Sequence, residues 1–126
     1  METPEDLHYT DEHEWIRSVG GSRVRIGVTD YAQDQLGDVV YVELPEPGKA
    51  VAKDDLIVEI ESTKSVGEVY APFAGTVAGV NQAVAETPEL VNTSPYDQGW
   101  LIELDVDGEI DTATLLDATA YRDLTE

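Results

Sequence analysis

Lys64 is the residue whose type and setting most suggest chemistry. It lies within Asp55-Leu-Ile-Val-Glu-Ile-Glu-Ser-Thr-Lys-Ser-Val-Gly-Glu-Val-Tyr-Ala-Pro72. With Thr63 and Lys64 as a two-residue turn, Ser62 faces Ser65, Ile60 faces Gly67, Val58 faces Val69 and Leu56 faces Ala71. That pairing makes one small, apolar face. The other face pairs Glu61 with Val66, Glu59 with Glu68 and Ile57 with Tyr70, a mixed, wet surface. Centring the turn on Lys64 alone would put Glu68 among the inner residues, so the apolar pattern selects the first register. Thr-Lys is poor chemistry for the primed turns of two-residue hairpins, which want Asn or Gly. Glu59 opposite Glu68 is a second local cost, roughly a few tenths of a kcal/mol. A chain that keeps both points to a tip that is needed for something.

Other chemistry is sparse. The two histidines, His8 and His13, have no partner at metal-ligand spacing, and there is no cysteine for a disulfide, thiol nucleophile or metal site. Asp105-Val-Asp-Gly-Glu-Ile-Asp111 has its glycine too early for a calcium loop and lacks the closing bidentate glutamate. Neither a Gly-rich phosphate loop nor a Gly-x-Ser-x-Gly elbow occurs. Acidic pairs such as Glu12 and Glu14 arise by chance among 27 acids. No catalytic constellation and no metal site is expected. A lysine on a stiff tip without catalytic surroundings is what a carrier needs.

The elements that must position this tip follow from the pattern of the chain. Glu14–Val19 reads as a strand, and Gly20-Gly21 turns it into Arg23–Val28, where Val24, Ile26 and Val28 alternate with Arg23, Arg25 and Gly27, giving a hairpin. Thr29 to Gly37 reads as a short helix, with Thr29 as N-cap, Asp30 in the first turn and Gly37 closing it. Val39–Leu44 is a strand ended by Pro45-Glu-Pro-Gly48. Beyond the central hairpin come a strand at Gly75–Val80, irregular chain from Asn81 to Tyr96 with one helical turn at Glu89–Asn92, and a strand at Trp100–Val106. The C-terminus is helical, capped by Asp117, with Leu116 and Tyr121 at hydrophobic-staple spacing. Many short strands with few short helices give a mainly β domain, a small barrel or sandwich. At 126 residues the chain reads as one domain, 1–126, with residues 1–6 loosely held.

The charge is extreme: 27 acidic against 7 basic residues, net −20. Such a surface repels nucleic acid and anionic membranes. The acids alternate with apolar residues along the strands, as on a folded domain with an acidic coat, and we read them as a halophilic adaptation. No stretch is long enough to span a membrane and the N-terminus lacks signal-peptide features, so a cytoplasmic location is expected.

Glu61-Ser-Thr-Lys-Ser65 and Val66-Gly-Glu-Val-Tyr-Ala-Pro72 resemble the lipoyl-lysine hairpin of the glycine cleavage H-protein family. The likeness continues, in order, through His13-Glu-Trp15, Gly27–Asp38, Val42-Glu-Leu-Pro-Glu-Pro-Gly48, Pro88-Glu-Leu-Val-Asn92, Ser94-Pro-Tyr96 and Gly99-Trp-Leu-Ile102. It covers about Leu7 to Leu124. It implies a barrel-sandwich hybrid of the lipoyl- and biotinyl-carrier kind, with lipoate in amide linkage on Lys64. It implies a carrier, not an enzyme, for the aminomethyl group of glycine. The donor would be the pyridoxal-phosphate glycine decarboxylase (P protein) and the acceptor the tetrahydrofolate-dependent aminomethyltransferase (T protein). Dihydrolipoyl dehydrogenase (L protein) would reoxidise the arm, and lipoate-attaching enzymes would install it. Family positions that line a cleft for the loaded arm match Glu14, Gln35 and Glu68; Gln35 stands where some members have histidine, and Glu68 where aspartate is common. Lipoyl domains of 2-oxoacid dehydrogenases are shorter, with Asp-Lys-Ala at the tip. Biotin carriers want Met-Lys-Met, and the only methionine here is Met1. An unmodified module of this family, acting in lipoate transfer or as a binding partner, would show the same hairpin.

Overall fold

The computed structural model describes residues 2–125. In chain order it contains β1 (His8–Tyr9), β2 (Glu14–Gly20), β3 (Arg23–Val28), α1 (Asp30–Leu36), β4 (Val39–Glu43), β5 (Ala50–Val51), β6 (Leu56–Ser62), β7 (Val66–Tyr70), β8 (Gly75–Val80), α2 (Gln82–Glu86), α3 (Leu90–Thr93), β9 (Ile102–Val106) and α4 (Ala118–Thr125). All strand pairs are antiparallel. Six strands form one sheet in the order β1-β2-β3-β9-β8-β5, and three form the other in the order β4-β6-β7. Chain on either side of Pro45–Gly48 contributes strands to both sheets, so the fold is interleaved and not two lobes in sequence.

The main core lies between the sheets, where Val24, Ile26, Leu104 and Val77 of the larger meet Val42, Val58, Ile60 and Val69 of the smaller. A second cluster, Leu7, Tyr9, Trp15, Tyr96, Ala118 and Tyr121, joins α4 to the start of the larger sheet. This two-sided covering buries three consecutive residues of β2, Glu14, Trp15 and Ile16. The Trp15 indole also requires a glycine beside it, since a Cβ on Gly27 would stand 2.6 Å from the ring.

Most expected elements form for the expected reasons. The Gly20-Gly21 turn uses positive φ at both residues. Thr29 caps α1 through the Ala32 N–H, and Gly37 closes it by donating to the Gln33 carbonyl. Asp117 accepts from the Ala120 N–H at the start of α4, with Leu116 packed against the cluster that holds Tyr121. The segment 81–96 is more ordered than its sequence suggests: Asn81 caps α2 through Ala83 N–H, and α3 follows. Residues 2–5 engage the rest of the fold. Tyr96 and Tyr9 donate to the Glu2 and Pro4 carbonyls, and Arg122 bonds the Thr3 carbonyl and the Glu5 carboxylate.

The central hairpin keeps its expected register from Glu61↔Val66 through Val58↔Val69 and then departs from it. A bulge at Ile57 pairs Leu56 with Tyr70, not Ala71. The extra residue reverses the alternation, so Ile57 is buried and Leu56 is 39% exposed. A second bulge, between Val39 and Tyr41, interrupts β4 against β6. The strands expected at Val39–Leu44 and Trp100–Val106 end one residue earlier and begin two residues later, respectively.

Candidate functional site

Lys64 stands at the exposed end of the β6–β7 hairpin, in a turn built without the backbone that Thr-Lys would resist. Neither Thr63 nor Lys64 has positive φ. The Ser62 N–H donates to the Ser65 carbonyl at 2.8 Å. The Ser62 hydroxyl accepts from the Ser65 N–H at 3.0 Å and the Lys64 N–H at 3.3 Å, in place of a backbone carbonyl. One serine side chain thus replaces the Asn-Gly chemistry of a primed turn.

The tip is docked, not free. Thr63 N–H donates to the Asp38 carbonyl at 3.0 Å. The aliphatic stem of Lys64 runs over Gly37, where a Cβ would stand 3.1 Å from Lys64 Cε. Gly67 admits Leu36 from the other side, since a Cβ there would lie 2.9 Å from Leu36 Cδ2. Asn92 of α3 fixes this support by accepting from Val39 N–H and donating to the Gly37 carbonyl and to Gln33 Oε1. The Lys64 ammonium has no hydrogen-bond or ion-pair partner among the described residues. The amine is therefore accessible while its stem is held.

Beside the hairpin lies a cavity of about 320 Å³ with an aliphatic floor of Val28, Ala32, Leu36, Ile60 and Val69 and a polar rim that includes Gln35 and Glu68. Its size and carbon lining suit the folded end of a long acyl arm. Gln35 and Glu68 are thus brought together. Glu14 is not with them; it lines a second cavity of about 290 Å³, with Thr10, Lys53, Asp54 and Tyr70. Glu12 borders both cavities. Glu14 is only 2% exposed. Its carboxylate accepts from Tyr70 N–H at 2.7 Å and the Thr10 hydroxyl at 3.1 Å, tying β2 of the larger sheet to β7 of the smaller. Burial, only partly offset by those two bonds, pushes its pKa up to about 7.

Sequence reasoning passed over two rim residues, His13 and Tyr31. Their rings lie 4.8 Å apart on the cavity wall. His13 Nδ1 is 2.8 Å from the Tyr121 hydroxyl, which also bonds Thr29, and burial lowers the pKa of the imidazole. A search for metal-ligand spacing dismissed His13. The signal that could have found it was its place in the family-like run His13-Glu-Trp15.

Two open antiparallel sheets with a lysine held at a hairpin tip define a lipoyl-domain barrel-sandwich fold, the class of swinging-arm carriers. Comparison with known proteins is more specific. The profile of the family described as "Glycine cleavage H-protein" matches residues 7–126. A glycine cleavage system H protein of Nocardia farcinica is 52% identical over 124 residues, covering 95% of this chain and 94% of that one. One from Mycobacterium bovis is 54% identical over 125 residues, covering 94% and 93%. The crystal structure of an H protein from Mycobacterium marinum superposes with a TM-score of 0.85 at 37% identity, covering 95% of this chain and 96% of that one. The chain belongs to the glycine cleavage H-protein family, whose role is that of a lipoyl carrier. Among the described residues, no helix is long and apolar enough to cross a membrane.

Proposed function

We propose that the chain, acting as a single carrier domain, bears lipoate on Lys64. In this reading it shuttles the aminomethyl group of glycine from the P protein to the T protein and returns to its starting state through the L protein. The observation that carries the reading is the Lys64 tip itself: an amine with no partner among the described residues, its stem braced over Gly37, next to a cavity with a carbon floor. Amide formation removes the lysine charge, and among the described residues no ion pair uses that charge. Once attached, the group supplies a disulfide for the reductive capture of the aminomethyl carbon and a dithiol for return.

The protein's own residues supply position and shelter. Ser62 shapes the turn and Asn92 holds Gly37 beneath the lysine stem. Gln35 and Glu68 rim the cleft, where the Glu68 carboxylate favours a cationic amine. Glu14 serves from behind, fixing through the Tyr70 N–H the strand that carries Glu68. The carrier holds no catalytic group of its own; the chemistry belongs to the enzymes it visits. The acidic coat fits a soluble cytoplasmic protein in a salty interior.

Lys64→Arg tests the reading. The variant is expected to fold normally and to support no glycine–bicarbonate exchange with the P protein. Retained exchange would refute the lipoyl-arm role.

A further inference from the structure

Strands β4, β6 and β7 contain four glutamates and no basic residue. Three of the four stand abreast on the outer face, Glu43 opposite Glu59 and Glu59 opposite Glu68. Like charges placed directly opposite weaken a sheet, so this row is held against local stability. Three of the four arginines, Arg17, Arg23 and Arg25, lie on the other sheet, where Arg23 pairs with Asp105 and Arg25 with Glu103. The two sheets therefore present faces of different charge.

One step nearer the tip, the same acidic face becomes apolar. Val40, Tyr41 and Val66 are 54%, 49% and 56% exposed. Tyr41 and Val66 flank Glu61 across three strands. The bulge in β4 turns Val40 and Tyr41 outward in succession, where simple alternation would have buried one of them. The core does not use these three residues, because Val42, Val58, Ile60 and Val69 already fill the inner face.

We propose that this outer face docks the enzyme that loads the Lys64 arm, through a complementary surface with an apolar centre and an arginine- or lysine-rich rim. The inference rests on the carrier reading, since the patch abuts the Lys64 turn. A second copy of the chain is a poor occupant: an isologous contact would set the glutamate row against itself.

The experiment uses fully lipoylated protein, verified by intact mass, in glycine–bicarbonate exchange with the P protein. A Tyr41→Thr/Val66→Thr variant keeps strand-forming residues and is expected to raise the KM for the carrier about tenfold, with kcat and unfolding midpoint unchanged. A Glu43→Gln/Glu59→Gln variant is expected to flatten the rise of KM with salt. KM values within twofold of wild type and an unaltered salt slope would overturn the proposal. So would a defect confined to lipoate attachment, or a wild-type dimer that Val66→Thr dissociates. A wild-type carrier that is fully lipoylated yet gives no exchange would instead overturn the carrier reading beneath it.

Discussion

Gly37 and Lys64 are held in register at the tip: the lysine stem crosses the glycine Cα, and a Cβ there would meet Lys64 Cε at 3.1 Å. Gly37 also has φ 83° and ψ −161°, a region that only glycine enters freely. Gly37→Ala is therefore expected to lower stability by about 1–3 kcal/mol and to displace the lysine stem. Urea unfolding measures the first effect, and the rate of lipoate attachment to folded protein measures the second. Wild-type values for both would mean that the support under Lys64 is dispensable.

Glu14 sets a pH dependence of known sign. Its folded pKa of about 7 lies above the ordinary 4.5, so the folded state binds the proton more tightly than the unfolded state does. The resulting stabilisation is full below pH 4.5 and is lost as pH rises to 7, a contribution on the order of 3 kcal/mol. Glu14→Gln keeps an acceptor for Tyr70 N–H and a donor for Thr10, and removes the titration. The stability of wild type relative to this variant is expected to fall between pH 5 and 7 in urea melts. A difference that stays flat would place the titration elsewhere. Glu14→Ala removes the same titration and also leaves the Tyr70 N–H unpaired, so it is expected to be less stable than Glu14→Gln by about 1–3 kcal/mol at any pH.

The hairpin and its lysine were legible in the sequence because alternation over 58–69 admits one good register. The helices whose caps are Thr29 and Asp117 were legible for the same local reason. The bulges at Ile57 and Val40 were not: an inserted residue breaks alternation without a signal of its own, and only packing against the facing sheet shows that Ile57 enters the core while Leu56 leaves it. The two-residue strands β1 and β5 are too short to have a period. The cleft was half legible. Gln35 and Glu68 border one cavity, but Glu14 reaches across to the Tyr70 N–H of β7, and no local pattern encodes that approach of one sheet to the other.

Net charge −20 on 126 residues makes self-repulsion a large unfavourable contribution at low salt. The unfolding midpoint is expected to rise as KCl increases from millimolar to molar, since screening acts most on the glutamate row and the rest of the acidic coat. A midpoint that does not move would remove the halophilic reading and leave the carrier role untouched.

The most direct measurement is intact-mass spectrometry of the protein purified from its native host grown on glycine, followed by peptide mapping across 55–72. The expected result is a single lipoyl increment located on Lys64 and absent from Lys64→Arg. An unmodified Lys64, or lipoate on Lys49 or Lys53, would contradict the assignment of the hairpin tip as the point where the arm is attached.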